Sequence, residues 1–193
     1  MINTDVLVIG SGISGLSYAI KIAENLPNIK ITIVTKAEND ETNTKYAQGG
    51  LAVVTNFDKD NFQKHIDDTI IAGDGENNIE VVKMVINEGP NRFKELVDWG
   101  TNFDKNEGEF RLGREGGHTE NRIVHHKDIT GAEIERALLS KIEKSDQIEM
   151  LDHHYVIDLI TEHHLTNKEF NKKNINCFGA YILDKKNKKI KKI

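Results

Sequence analysis

Cysteine occurs once in 193 residues, at Cys177, which excludes an intrachain disulfide and leaves too few thiolates for a metal cluster. That scarcity fits a reducing compartment, and Cys177 itself is expected to be buried in a strand. There are only two prolines: Pro27 is placed to stop a first helix, and Pro90 to split or kink a later one. No excess of basic charge exists either. Lys and Arg number 26 against 31 Asp and Glu, a net charge of -5, which argues against a dedicated nucleic-acid-binding domain and leaves any anionic ligand to a few local cations. No apolar run is long enough to span a bilayer, and residues 1–4 lack the charged region and cleavage pattern of a signal peptide. A cytoplasmic protein without membrane or nucleic-acid partners is expected. The length suits one domain, or the leading part of a longer protein.

What is present begins at once. The apolar strand Val6-Leu7-Val8-Ile9 runs directly into Gly10-Ser11-Gly12-Ile13-Ser14-Gly15 and then into a helical pattern. In that setting GxGxxG reads as a dinucleotide fingerprint. Gly10 permits a tight turn, Gly12 removes a side chain that would block a pyrophosphate, and Gly15 lets the helix approach the strand with its first amides facing phosphate. Leu16, Ala19, Ile20 and Ala23 keep helical spacing up to Pro27, and Ile29 to Thr35 reads as a second strand alternating Ile29, Ile31 and Ile33, with Val34 out of phase. An acidic residue ending that strand would take a ribose hydroxyl, but the residues are Thr35-Lys36. Lys36 leaves three readings open: a ribose phosphate as in an NADP site, a different arrangement around the adenosine of FAD, or a solvated loop residue.

Residues 37–50 are polar and end on Tyr46-Ala47-Gln48-Gly49-Gly50. Two helices are expected between about 61 and 100, the second capped by Asn77 with Glu80 and interrupted at Pro90; Thr130 with Glu133 reads as the capping box of a helix to about Lys144. Strands follow at 148–151, 155–161 and 177–183, with polar turns between them, and a Lys-rich segment at 188–193 has the shape of a return strand with nothing after it to pair with. The six lysines between Lys185 and Lys192 read as a solvated turn and strand edge. The histidine pairs His125-His126, His153-His154 and His163-His164 do not suggest a metal: neighbours on a strand face opposite ways, and no histidine and carboxylate set has a ligand spacing in sequence.

Two further segments, Asn43-Thr44-Lys45-Tyr46-Ala47-Gln48-Gly49-Gly50-Leu51-Ala52 and Arg114-Glu115-Gly116-Gly117-His118 followed by Arg122 to Gly131, together with the opening fingerprint, resemble the L-aspartate oxidases. These belong to a group that includes the flavoprotein subunits of succinate dehydrogenase and fumarate reductase. The resemblance implies an α/β, Rossmann-like FAD-binding domain with a parallel sheet plus a β-meander, incomplete at the C-terminus. Its parts would be a βαβ opening at 1–36, a flavin loop and helical segment at 37–147 and the meander at 148–193, with capping and C-terminal helical domains absent. It implies Ser11 to Ser14 along the FAD pyrophosphate, Lys36 at the adenosine side as in the family, and Asn43 to Gly50 around the ribityl chain and isoalloxazine. Paired glycines there would let backbone amides approach the ring.

The relatives that attach flavin covalently have a histidine where this chain has Asn43, which lacks the ring nitrogen, so non-covalent FAD is implied. Glu115 matches the glutamate that orients the substrate ammonium, a task suited to a carboxylate; a surface ion pair with Arg111 or Arg114 is the plainer alternative. His118 and Arg122 are candidates to hold substrate carboxylates. The implied reaction is oxidation of L-aspartate to iminoaspartate with oxygen or fumarate as acceptor, feeding quinolinate synthase in NAD biosynthesis. The family's remaining substrate-gripping arginines and histidines lie in later segments, so this sequence is expected to be a truncated form with an intact FAD site and absent or poor turnover. A respiratory-type flavoprotein and a non-catalytic dinucleotide-binding module remain as alternatives.

Overall fold

The computed structural model describes residues 2–164 and 175–193. In chain order these form β1 (Val6–Ile9), α1 (Ile13–Asn25), β2 (Ile31–Val34), β3 (Leu51–Ala52), α2 (Phe62–Ala72) and α3 (Ile79–Asp98). The short strands β4 (Lys105–Asn106), β5 (Glu109–Phe110), β6 (Leu112–Gly113) and β7 (Ile123–Val124) come next. Then come α4 (Thr130–Glu143), β8 (Ile148–Leu151), β9 (His154–Thr161), β10 (Cys177–Asp184) and β11 (Lys189–Lys192). Part of the polar turn expected between 161 and 177 lies outside the described residues. The chain divides into two units, Met1–Thr42 with Leu139–Ile193, and Asn43–Leu138.

In the first unit β1, β2 and β8 make a parallel sheet with β2 in the middle, Val6 opposite Ile31 and Ile31 opposite Ile148. A central parallel strand is covered on both faces, so all four residues of β2 are buried and Val34 is no exception to an alternation. α1 turns Leu16, Ala19 and Ile20 inward, as their spacing requires, and ends before Pro27. Residues 148–151 were expected in the meander; instead β8 is the third parallel strand, and the meander consists of β9, β10 and β11 in the antiparallel order β11-β10-β9. The Lys-rich segment is the return strand its shape suggests, pairing with the preceding β10, Tyr181 opposite Lys192. Ile193 continues that ladder, exchanging backbone bonds of 2.8 and 3.1 Å with Ala180. Val34, Ala180, Ile182 and Ile193 form one apolar cluster. Cys177, expected to be buried, opens β10 and is exposed, since the first residue of a strand has cover on one side at most.

In the second unit α2 is capped by Asn61, whose side chain accepts from the Lys64 amide at 2.9 Å. α3 is capped by Asn78, not Asn77: the Asn78 side chain accepts from Val81 N at 3.2 Å, while Asn77 Nδ2 donates to the Thr69 carbonyl at 3.3 Å. Pro90 does not split α3, which runs unbroken from Ile79 to Asp98. Proline removes one ladder bond and crowds the carbonyl four residues back. Burial of Ile86 before it and of Phe93 and Leu96 after it holds both halves on one face. Phe93 meets Phe103 and Phe110 at centroid distances of 5.0 and 4.9 Å. The Thr130 and Glu133 pair is not a capping box. Thr130 is already helical and its hydroxyl accepts from His126 N at 3.1 Å, while Glu133 accepts from Asn102 N at 2.8 Å and from Arg136 at 2.7 Å.

Candidate functional site

Within the first unit the glycine turn has the geometry its sequence demands. Gly10 sits at φ +104°, a region closed to most side chains, and its amide bonds to the Val34 carbonyl at 2.9 Å. A Cβ on Gly15 would lie 2.2 Å from the Gly10 carbonyl oxygen and 3.2 Å from Val8 Cγ1, so only glycine allows α1 to sit this close to β1. Gly12 caps α1 with no side-chain bond, and no acidic residue occupies the first turn. Ser11 is 2% exposed, yet its hydroxyl has no hydrogen-bond partner among the described residues. A buried hydroxyl beside an uncapped, acid-free helix start fits a phosphate oxygen. Ile13 and Ser14 begin the helix itself.

Lys36 is exposed immediately after Thr35, at the end of β2. Nearby, His153 Nε2 lies 2.9 Å from Glu38 Oε1, and Glu38, Asp152 and His153 present ligand atoms within 4.8 Å of one another. No ligand spacing in sequence announces that grouping, because 115 residues separate Glu38 from His153. Both Asp152 oxygens already bind Lys186 Nζ, at 3.0 and 2.9 Å, which makes the cluster an ion-pair network. A groove of about 540 Å³ lined by Ile20, Pro27, Lys144 and Gln147 lies at the far end of α1 from the glycine turn, and so is not where a phosphate at Gly12 would rest.

The second unit gathers the remaining motifs. β3, β7 and β6 form one small sheet in the order β3-β7-β6, with Leu51 opposite Val124 and Gly113 opposite Ile123. That sheet ties the end of the Asn43–Gly50 loop to the segments on either side of Glu115. The loop is mostly exposed, including Asn43, Tyr46, Ala47, Gln48, Gly49 and Gly50, with Thr44 and Lys45 half-buried. It is held by the Ala47 amide on the Thr44 carbonyl at 3.2 Å and by the Gly131 amide on the Ala47 carbonyl at 2.9 Å. Glu115 is exposed and leans on the loop: its Oε1 lies 3.5 Å from where a Cβ on Gly49 would be. Arg111 and Arg114, the candidate ion-pair partners of Glu115, are exposed as well.

Arg122 is placed differently from expectation. It is fully buried, its Nε and Nη2 each 2.8 Å from Asp60 oxygens, and its Nη1 bonded to Asp68. Its fork is occupied by two carboxylates and cannot also grip a substrate carboxylate. Its Nη1 lies 3.0 Å from His118 Nδ1. Asp68 also accepts from the Thr119 amide and hydroxyl at 2.8 and 3.0 Å, docking the Glu115–Thr119 turn on α2.

Burial alone would raise the Asp60 and Asp68 carboxyls. Bonds from Arg122 with the Asn61 amide, and from Thr119 with Arg122, outweigh it and hold both below the usual range. Burial would likewise lower Arg122, but Asp60 and Asp68 keep it raised. His65, 6% exposed with its ring centroid 5.7 Å from that of His118, is pushed down to about 4 by burial, then by Arg122 and His118. Asp60, His65 and Asp68 escape a reading by motif. The signal was present, since His65 and Asp68 share the inward face of α2 with Ile66, and buried polar residues on an apolar face demand partners.

Residues 5–193 match the FAD binding domain family. The chain is 45% identical to the chloroplastic L-aspartate oxidase of Oryza sativa subsp. japonica over 186 residues, covering 96% of this chain and 27% of that protein. Identity to the L-aspartate oxidase of Pseudomonas aeruginosa is 35% over 189 residues, 94% of this chain and 34% of the relative. Among solved structures, a mutant of E. coli quinol fumarate reductase superposes with a TM-score of 0.83 at 27% identity, covering 95% of this chain and 29% of that one. The chain thus spans about a quarter to a third of the length of these relatives. No helix among the described residues is long and apolar enough to cross a membrane. With the fingerprint turn, the parallel sheet and the match from Asp5 to Ile193 in agreement, the chain belongs to the FAD binding domain family.

Proposed function

We propose that this chain serves the FAD-dependent oxidation of L-aspartate to iminoaspartate, with oxygen or fumarate as acceptor, in NAD biosynthesis in the cytoplasm. The product would pass to quinolinate synthase. The observation that carries the reading is Glu115 resting against Gly49: a carboxylate suited to an ammonium lies on a paired-glycine loop that lets backbone approach a flat ring. Bound FAD supplies the acceptor for the hydride that leaves the substrate Cα. In this reading the first unit is the Rossmann-like part, and Gly10 to Gly15 take the pyrophosphate, with Ser11 donating from its buried hydroxyl. Lys36 lies at the adenosine side, while Asn43, Thr44, Lys45, Tyr46, Ala47, Gln48, Gly49 and Gly50 take the ribityl and isoalloxazine part. Asn43 offers no nucleophilic ring nitrogen, so the cofactor is held without a covalent bond. Glu115 binds the substrate ammonium and His118 donates to a carboxylate. Arg122 has no part in substrate binding.

A respiratory-type dicarboxylate flavoprotein is the second reading, favoured by the fumarate reductase superposition. The two part over the ammonium. With the FAD-loaded chain kept anaerobic, L-aspartate is expected to perturb the flavin absorption spectrum at far lower concentration than succinate. Glu115→Gln is expected to erase most of that preference, about tenfold or more, the worth of one charge-assisted bond. Equal responses to succinate and aspartate in the unaltered chain would favour the second reading and contradict ours.

A further inference from the structure

We infer that Arg122 is a positioning residue that fixes His118 as the Nε2–H tautomer, a hydrogen-bond donor aimed away from the buried cluster. The 3.0 Å approach of Arg122 Nη1 to His118 Nδ1 permits one arrangement only. A guanidinium has donors and no acceptor, so Nδ1 must present its lone pair and the ring proton must sit on Nε2. The other tautomer would set N–H against N–H.

Arg122 cannot turn aside to relieve such a clash. It is fully buried, and its Nε and Nη2 are fixed on Asp60. The backbone that carries the ring is held as well. The His118 amide bonds to the Glu115 carbonyl at 3.3 Å, and the next residue, Thr119, is doubly bonded to Asp68, which itself holds Arg122. The two imidazole nitrogens lie on opposite edges of the ring, so with Nδ1 toward Arg122 the Nε2–H is directed outward from a half-buried side chain. A donor of that kind suits a carboxylate oxygen and complements Glu115. This last step rests on the aspartate reading, whereas the tautomer does not.

The test is therefore made without flavin or substrate. Two-bond 1H–15N correlation spectra of the labelled 193-residue chain, recorded at about pH 8, above the ordinary histidine range, report which ring nitrogen carries the proton. His118→Gln identifies the His118 signals. The expected result is one fixed tautomer with Nδ1 unprotonated, and in Arg122→Gln a shift toward the averaged pattern of an unrestrained imidazole. An Nδ1–H or averaged pattern in the unaltered chain would overturn the inference. So would a folded Arg122→Gln variant that retained the same fixed tautomer. If Arg122→Gln does not fold, the unaltered chain decides the matter alone. Failure here leaves the aspartate reading standing, and failure of the aspartate titration leaves the tautomer standing.

Discussion

At Gly50 an added Cβ would lie 2.2 Å from Ile123 Cγ2 and 2.5 Å from the Val124 carbonyl oxygen. Both belong to β7, a strand that cannot retreat without leaving β3 and β6. Gly50→Ala is expected to destabilise the second unit by about 1–3 kcal/mol, read as a lower urea midpoint, and to weaken flavin binding with it. His65 gives a second expectation. Its folded value of about 4 lies below the ordinary 6.5, so between those values the unfolded chain binds more protons than the folded one. The stabilisation is complete above pH 6.5 and is lost as pH falls toward 4, by up to about 3 kcal/mol. Asp60 and Asp68, held below their ordinary 3.8, add a further loss only at still lower pH. Urea midpoints at neutral and mildly acid pH should diverge for the native chain and much less for His65→Leu. Residue roles that depend on backbone shape, at Gly10 and Gly15, were legible in the sequence. The burial of Arg122 was not, because its partners Asp60 and Asp68 lie 62 and 54 residues away and no local spacing announces them.

Among the elements, α3 carries the clearest mismatch between local preference and outcome. A proline in a helix interior costs about 3 kcal/mol relative to alanine, and here packing of Ile86, Phe93 and Leu96 outweighs it. Pro90→Ala, which restores the missing amide donor, should raise the thermal midpoint by an amount worth about 1–3 kcal/mol. Asn78→Ala should lower it by about 1 kcal/mol through loss of the cap on Val81, and Asn77→Ala should not act through that cap. The helices, β1 and β2 were readable from periodicity and from the strand-to-glycine junction. β8 was not assigned to its sheet, because a four-residue apolar strand looks the same whether it pairs in parallel with β2 or begins a meander. Register is a tertiary property, and only the pairing of Ile31 with Ile148 settles it.

For the molecule as a whole, the motifs pointed to a flavin site more directly than the strands pointed to the fold, since each motif reports a short-range steric demand that a sequence states openly. What brings Gly49 to Glu115 is the small β3-β7-β6 sheet, whose two-residue strands lie below the length at which alternation can be read. The claim on which the functional reading depends is that this chain holds FAD without a covalent bond. It is tested by loading the purified chain with FAD, removing the excess, denaturing it and passing it through a filter that retains protein. Stoichiometric FAD in the filtrate and colourless protein above it are expected. Flavin that stays with the denatured chain, or a loaded sample that carries none, would contradict that claim.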